Sequence, residues 1–150
     1  MSRCANKEGV KMRRIFPVIF FILAIVAQAF AAPPCLKYEP EVVELKGKVK
    51  RVVFPGPPNY ESVKAGDQPE PYYVLFLPKG VCVQGDPKDE INSETEKDIK
   101  SMQLMITDYK KYRPLLGKNV TVKGQLMHSH TGHHHTNVLV QVESMTAAPN

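Results

Sequence analysis

The side chains best suited to chemistry in this sequence are its histidines, which all lie in one short stretch. The segment "HSHTGHHHT", residues 128–136, holds all five histidines of the 150-residue chain. Imidazole nitrogens bind zinc, copper and nickel, and the imidazole group changes charge near neutral pH. The cluster therefore indicates a transition-metal site, a group of structural or ligand-contacting side chains, or a protonation switch.

Strand pairing decides which of these histidines face the same way. The segments on both sides of the cluster alternate apolar and polar residues, which is typical of paired strands. A two-residue turn would place Val122 opposite Gln141 and put the two apolar stripes on different faces. A three-residue turn, 130–132, sets Gly132 in the left-handed position and aligns Val122 with Val140. We therefore predict the three-residue turn.

In this register the histidines divide into two pairs and a turn residue. His128 faces His134 directly across the hairpin, at a distance that suits two ligands of one ion. His133 and His135 lie on the opposite face, and His130 lies in the turn. Because a closed zinc site has four ligands, two histidines supply half of it. The remaining ligands would come from His130, from the first long loop or from water.

The rest of the chain supplies a mainly β frame for this hairpin. Apolar patterns predict five short strands, and Asp108 begins a short helix between the third and fourth strands, which Gly117 ends. This order is that of a small five-stranded OB-like Greek-key barrel, with another small β-barrel or a sandwich as the alternative. The polar segment 86–100 is predicted as a solvated loop. The five strands are expected at residues 43–54, 72–77, 101–107, 119–128 and 136–145.

In an OB-fold, the loop between strands one and two and the loop between strands four and five flank the ligand-binding face. Here these are the proline-rich loop (residues 55–71) and the histidine hairpin (residues 128–136), so we expect them to lie together. Carboxylates and imidazoles would then converge, with an aromatic ring available for stacking. The candidates in the proline-rich loop are Tyr60, Glu61, Asp67 and Glu70.

The N-terminal residues are typical of a secretory signal peptide. Basic residues after Met12 precede a short apolar run, and an Ala-x-Ala pattern at residues 29–31 fits a cleavage site. We predict a signal of residues 1–31, with cleavage after the second alanine or alternatively the first, and with residues 1–11 as an optional upstream extension. The single domain would then comprise residues 32–150. It would be periplasmic or secreted, without a stable membrane anchor.

The cysteines fit an exported domain. Of the three, Cys4 leaves with the signal, whereas Cys35 and Cys82 enter an oxidising compartment. Two cysteines there indicate one disulfide, with two buried thiols as the alternative.

The positive charge of the chain comes mostly from the predicted signal. Residues 1–31 hold five of the 20 Lys and Arg residues and one of the 15 Asp and Glu residues, so the remainder carries +1 instead of +5. Nucleic-acid binding needs a clustered basic face that neutralises phosphates. We therefore expect no nucleic-acid partner.

Four segments carry a family resemblance. Together "CLKYEP", "FPGPPNYESVKAGD", "YRPLLGKNVTVKGQL" and "HTGHHHT" resemble a bacterial family known only as domain of unknown function 4431. The resemblance extends over nearly all of residues 35–143. It implies a small exported bacterial domain and carries no established activity.

Three functions are consistent with these features. The first is an exported binding module of unknown ligand, in which the histidine hairpin holds an ion of zinc, copper or nickel. The second is an envelope accessory protein that contacts a peptide, an oligosaccharide or a partner protein through the two loops, with structural histidines. The third is a metal-dependent hydrolase with Asp67 or Glu70 as general base. Because no HExxH or GxSxG motif is present, we expect a protein without enzymatic activity.

Overall fold

The computed structural model describes residues 34–149, and the predicted signal peptide lies outside these residues. One short α-helix lies between the fourth and fifth strands. Within this range, no helix has the length and apolar character needed to cross a membrane. The elements are β1 (Leu36–Lys37), β2 (Val42–Pro55), β3 (Pro69–Gln84), β4 (Glu96–Met105), α1 (Tyr109–Tyr112), β5 (Asn119–His128) and β6 (Val138–Ala147), with short 3-10 turns at Val63–Ala65 and Arg113–Leu115.

The strands form one sheet in the order β1-β3-β2-β5-β6-β4, and β3 also pairs with β4. The β1–β3 and β4–β6 pairs are parallel, and the other pairs are antiparallel. The predicted class is confirmed as mainly β with one short helix, but the sheet has six strands instead of five. The finer assignment to an OB-like barrel stays a prediction.

Alternating apolar residues of β2 to β6 form the core. Side chains from all five strands pack into one buried cluster, in which those of β4 and β5 are fully buried. Burial of a leucine or valine side chain stabilises the fold by about 1.5–3 kcal/mol. Representative members are Leu45, Leu75, Leu104, Leu126 and Val140.

Helix α1 begins at the predicted position. The carboxylate of Asp108 accepts a hydrogen bond from the backbone N–H of Lys111 at 3.1 Å, which caps the first turn. Tyr112 is buried in the core, and Tyr109 packs edge-on against Tyr73 with 5.0 Å between ring centroids. The helix therefore closes the core between β4 and β5.

The polar segment 86–100 is only partly the solvated loop that its composition predicts. Residues 96–100 form the first half of β4, where Ile99 pairs with Val81 and packs against the core. A single apolar residue among charged neighbours gives too weak an alternation to indicate a strand. That part of the prediction is wrong.

Cys35 and Cys82 form the predicted disulfide. The bridge lies beside the parallel β1–β3 pair, where Leu36 is opposite Val83. It joins residues that are 47 positions apart in the sequence. Closing a loop of this length reduces the freedom of the unfolded chain, which stabilises the fold by about 4 kcal/mol in the chain-entropy account.

Replacing both cysteines, Cys35→Ala with Cys82→Ala, is expected to lower the free energy of unfolding by about 2–4 kcal/mol, because the unfolded chain regains this freedom. Urea unfolding followed by circular dichroism measures the change. Reduced wild-type protein is the control and should unfold at the midpoint of the double variant. A midpoint equal to that of the oxidised wild type would contradict the prediction.

Candidate functional site

The histidine hairpin is longer than the predicted three-residue turn. β5 ends at His128, β6 begins at Val138, and these two residues are opposite each other. Residues 129–137 therefore form a loop, and the predicted cross-strand pair of His128 and His134 is wrong. Leu126 is opposite Val140, and both are fully buried. The apolar stripes of the two strands thus share a face, as predicted, but in another register.

A bulge in the hairpin contributes to the difference. The pairing shifts by one residue between Lys123 and Gly124, so that Val122 is opposite Met145 instead of Ser144. The longer loop accounts for the rest of the difference from the predicted partner, Val140. The backbones approach closely there, and a Cβ atom at Gly124 would collide with the carbonyl oxygen of Gln141. A bulge adds one residue to one strand only. Strand partners that are predicted by counting outward from the turn are therefore wrong by one residue beyond the bulge.

Gln103 of β4 holds the histidine loop against the sheet. Its side chain is fully buried. The amide Nε2 donates to the carbonyl oxygen of His133 at 3.0 Å, and Oε1 accepts from the backbone N–H of His135 at 2.8 Å. The backbone N–H of Gln103 donates to Oγ1 of Thr136 at 2.8 Å. Since buried polar groups require partners, these bonds fix the path of the loop along β4.

Glu70 joins the proline-rich loop to the histidine hairpin. Its Oε1 lies 2.6 Å from Nδ1 of His133, and its Oε2 lies 2.9 Å from Nε2 of His135. Because an ionised carboxylate only accepts, each of these ring nitrogens carries the shared hydrogen. Burial alone would raise the pKa of Glu70, but the hydrogen bonds from His135 and His133, together with the electrostatic attraction of the two histidines, outweigh burial and lower it. Glu70 is therefore an ionised bridge between the two segments.

Aromatic rings fix the more buried of these two imidazoles. The ring of His135 stacks on Phe54 with 4.4 Å between centroids and 4° between planes, and Tyr72 lies 5.6 Å away. The side chain of His135 is only 10% exposed, whereas that of His133 is 56% exposed. One imidazole is thus held rigidly, and the other faces solvent.

Tyr60 and Gly132 form a second contact between the two segments. A Cβ atom at Gly132 would lie 3.0 Å from Cζ of Tyr60, so glycine lets the ring pack closely. Gly132 does not have the left-handed φ that the predicted turn required. Tyr60 does have one, with φ of 60°, which is unfavourable for a bulky residue. Its ring packs edge-on against His133 at 6.1 Å.

Asp67 shapes the proline-rich loop and does not bond to a histidine in the described residues. It is buried, and its carboxylate accepts from the backbone N–H groups of Asn59 at 3.0 Å, Glu61 at 2.8 Å and Ser62 at 2.8 Å. The hydrogen bonds from Ser62 and Asn59 lower the pKa of Asp67 below its ordinary value. Glu61 is exposed on the same loop. Of the three predicted carboxylates, only Glu70 therefore meets imidazoles.

The other three histidines, residues 128, 130 and 134, do not contact Glu70 and have other partners. Nε2 of His128 lies 3.1 Å from Oε1 of Glu96, and its Nδ1 lies 3.0 Å from the carbonyl oxygen of Ser129. The backbone N–H of His130 donates to Nδ1 of His134 at 3.1 Å. Burial, and then the neighbouring histidines, lower the pKa of His134 and favour its neutral form.

The structure therefore splits the five histidines among three different groups. Among residues 34–149, no three His, Cys, Asp or Glu side chains are arranged as a ready-made metal-binding group. The predicted pairing of His128 with His134 across the hairpin does not form. The proline-rich loop and the histidine hairpin do lie together, as predicted.

Four residues that contribute to this site were not predicted from the sequence. Phe54 and Tyr72 flank His135, Gln103 anchors the loop, and Glu96 meets His128. Gln103 occupies a polar position in an alternating strand, which is also typical of an exposed residue. Only the return of the histidine loop over β4 buries it, so no local pattern distinguishes it.

Comparison with known proteins gives one family. Residues 101–146 match the model of the family described as "Domain of unknown function (DUF4431)". The matched residues run from within β4 to β6 and include the histidine hairpin, which confirms the resemblance to this family for that part of the chain. No curated protein and no solved structure matches the chain.

Asp67→Asn is expected to lower the melting temperature by several degrees at neutral pH, because the amide is uncharged and has one acceptor oxygen instead of two. The pKa of Asp67 is lowered by folding, so its stabilisation is fully present above the ordinary value of 3.8 and is lost as the pH falls below it. Thermal melts of both proteins between about pH 3 and pH 7, a range that includes the ordinary pKa of an aspartate, measure the difference. It should shrink on acidification.

Glu61→Gln is the matched control, because Glu61 lies exposed on the same loop. Its melting temperature should follow that of the wild type at every pH. A difference between Asp67→Asn and wild type that stays constant with pH would contradict the assigned role of the carboxylate.

Proposed function

We propose that the chain is an exported binding module, in which the joined proline-rich loop and histidine hairpin hold a partner protein of the bacterial envelope. The observation that carries the proposal is the double hydrogen bond of Glu70 with His133 and His135, which turns two loops into one surface. In this proposal the histidines organise the surface, and most of them do not touch the partner.

We further propose that the frame is an OB-like barrel. Its strand pairings support this assignment: β3 pairs with β2 and β4, β4 pairs with β6, and β5 pairs with β6 and β2. The short helix between β4 and β5 has the position that an OB-fold gives it. OB-folds bind ligands beside the two loops that Glu70 joins here.

The chemistry of the proline-rich loop and of the end of β2 that leads into it supports a protein partner. Val53, Tyr60 and Val63 are large apolar residues that are at least 40% exposed, and all three lie within one short segment. Tyrosine is enriched at protein interfaces, where its ring adds area and its hydroxyl group adds a hydrogen bond. Single exposed apolar residues are ordinary, but three in one short segment, one of them a conformationally strained tyrosine, favour a contact surface.

The rigidity of the joined loops also supports binding. Asp67 ties the proline-rich loop through three backbone N–H groups, and Gln103 ties the histidine loop to β4. A surface that is ordered before binding loses less conformational entropy when the partner arrives. The Cys35–Cys82 disulfide is compatible with an oxidising compartment, which is where the predicted export would take the domain.

Photo-crosslinking in producing cells tests this proposal. A photoreactive amino acid at position 60 should give a defined protein adduct, whereas the same group at position 91 should not. Ile91 is the matched control, because it is also an apolar residue about 40% exposed but lies on the loop between β3 and β4. In a binding assay with the captured partner, Tyr60→Ala should weaken affinity about thirtyfold, as for other central aromatic residues.

Equal adducts from both positions would contradict the proposal. Unchanged affinity of Tyr60→Ala would contradict it as well, provided that its melting temperature matches that of Ile91→Ala. An adduct with a glycan instead of a protein would also contradict the proposal, because the partner would then be an oligosaccharide.

A further inference from the structure

We propose that Glu70, His133 and His135 form a binding site for one divalent transition-metal ion, with zinc as the preferred ion. Two imidazoles and one carboxylate are the protein ligands of many catalytic zinc sites. Here Glu70 already lies within hydrogen-bond distance of both imidazoles, with nitrogen–oxygen distances of 2.6 and 2.9 Å. The three donors are not yet arranged around one point, so an ion would have to draw them together. This site goes beyond the proposed partner surface, since it requires no partner protein.

The two ring nitrogens that face Glu70 can release their hydrogens and bind a metal ion instead. In the present arrangement, Nδ1 of His133 and Nε2 of His135 each carry a hydrogen that Glu70 accepts. A neutral imidazole can instead carry its hydrogen on the other ring nitrogen. After this tautomer change, both inner nitrogens present lone pairs to an ion. The ionised carboxylate supplies the negative charge.

The distances define the movement that the ion would require. Two ligands of a tetrahedral zinc ion lie about 3.3 Å apart when each bond is about 2.0–2.1 Å long. Each inner nitrogen would therefore move away from the Glu70 oxygen that it now contacts by about 0.4–0.7 Å, and the two nitrogens would also have to converge on the ion. His133 can make this movement, because its side chain is 56% exposed and lies in a loop. The site would thus assemble around the ion.

The surroundings of the three ligands suit a metal site. Phe54 stacks on His135 and fixes the plane of its ring. Gln103 holds the backbone of both histidines through its side-chain amide. Outer contacts of this kind orient metal ligands and strengthen binding. Three protein ligands leave a fourth position, which would lie toward the exposed His133 and take water or a group of a partner.

Isothermal titration of zinc into the exported protein, purified without an affinity tag, tests the site. We expect one ion per chain with a dissociation constant of about 10 µM or lower. Glu70→Gln and His133→Ala should each weaken binding at least about tenfold. His135→Phe should do the same while it keeps an aromatic ring on Phe54. X-ray absorption of the zinc-loaded protein should show two imidazoles at about 2.0–2.1 Å.

His130→Ala is the matched control, because His130 lies on the same loop outside the proposed ligand set and should leave zinc binding unchanged. Binding no tighter than about 100 µM would overturn the proposal. Binding that survives Glu70→Gln and His133→Ala would also overturn it, since the ion would then lie on other histidines. Zinc binding is measured without any partner protein, and photo-crosslinking is measured without added zinc, so failure of one proposal is distinguishable from failure of the other.

Discussion

One partly buried carboxylate determines the shape of the surface at this end of the domain. The side chain of Glu70 is only 14% exposed, and an ionised carboxylate in such a place requires hydrogen-bond donors. Its donors are His133 and His135, which follow it by 63 and 65 residues in the sequence. Both of these donors lie on the other segment. The proline-rich loop and the histidine hairpin therefore stabilise each other only when they lie together.

The sheet sets the position at which they meet. Glu70 lies on β3 and Gln103 on β4, and these strands are neighbours in which Val74 is opposite Gln103. The histidine loop is thus held at two points whose separation depends on strand register. Its histidines are not interchangeable as a result: two bridge to Glu70, one meets Glu96, and two contact each other.

The periodicity of apolar residues and the chemistry of caps and turns were sufficient to predict the β framework of the domain. The mainly β class, the helix after Asp108 and the Cys35–Cys82 disulfide follow from alternation, capping and cysteine number. The meeting of the two loops also followed, because the OB-fold hypothesis places the loop after the first strand and the loop after the fourth strand beside one face. These features depend on patterns that extend over many residues or on side chains with few alternatives.

The hairpin register could not be predicted, for two physical reasons. A bulge beside Gly124 shifts the pairing by one residue, and bulges leave no clear mark in the alternation. The loop is longer than its turn residues suggest because Gln103, a distant residue, supplies its hydrogen bonds. Likewise, Asp67 and Glu70 look equivalent in sequence. Only the folded loop shows that Asp67 is engaged by backbone N–H groups, whereas Glu70 faces the histidines.

The central claim is that Glu70 and the imidazoles are energetically coupled across the two segments. A double-mutant cycle with Glu70→Gln and His135→Phe, read by urea unfolding, measures this coupling most directly. We predict a coupling free energy of about 1–3 kcal/mol for this pair, and less than about 0.5 kcal/mol for a parallel cycle of Glu70→Gln with His130→Ala. Equal couplings near zero in both cycles would contradict the account.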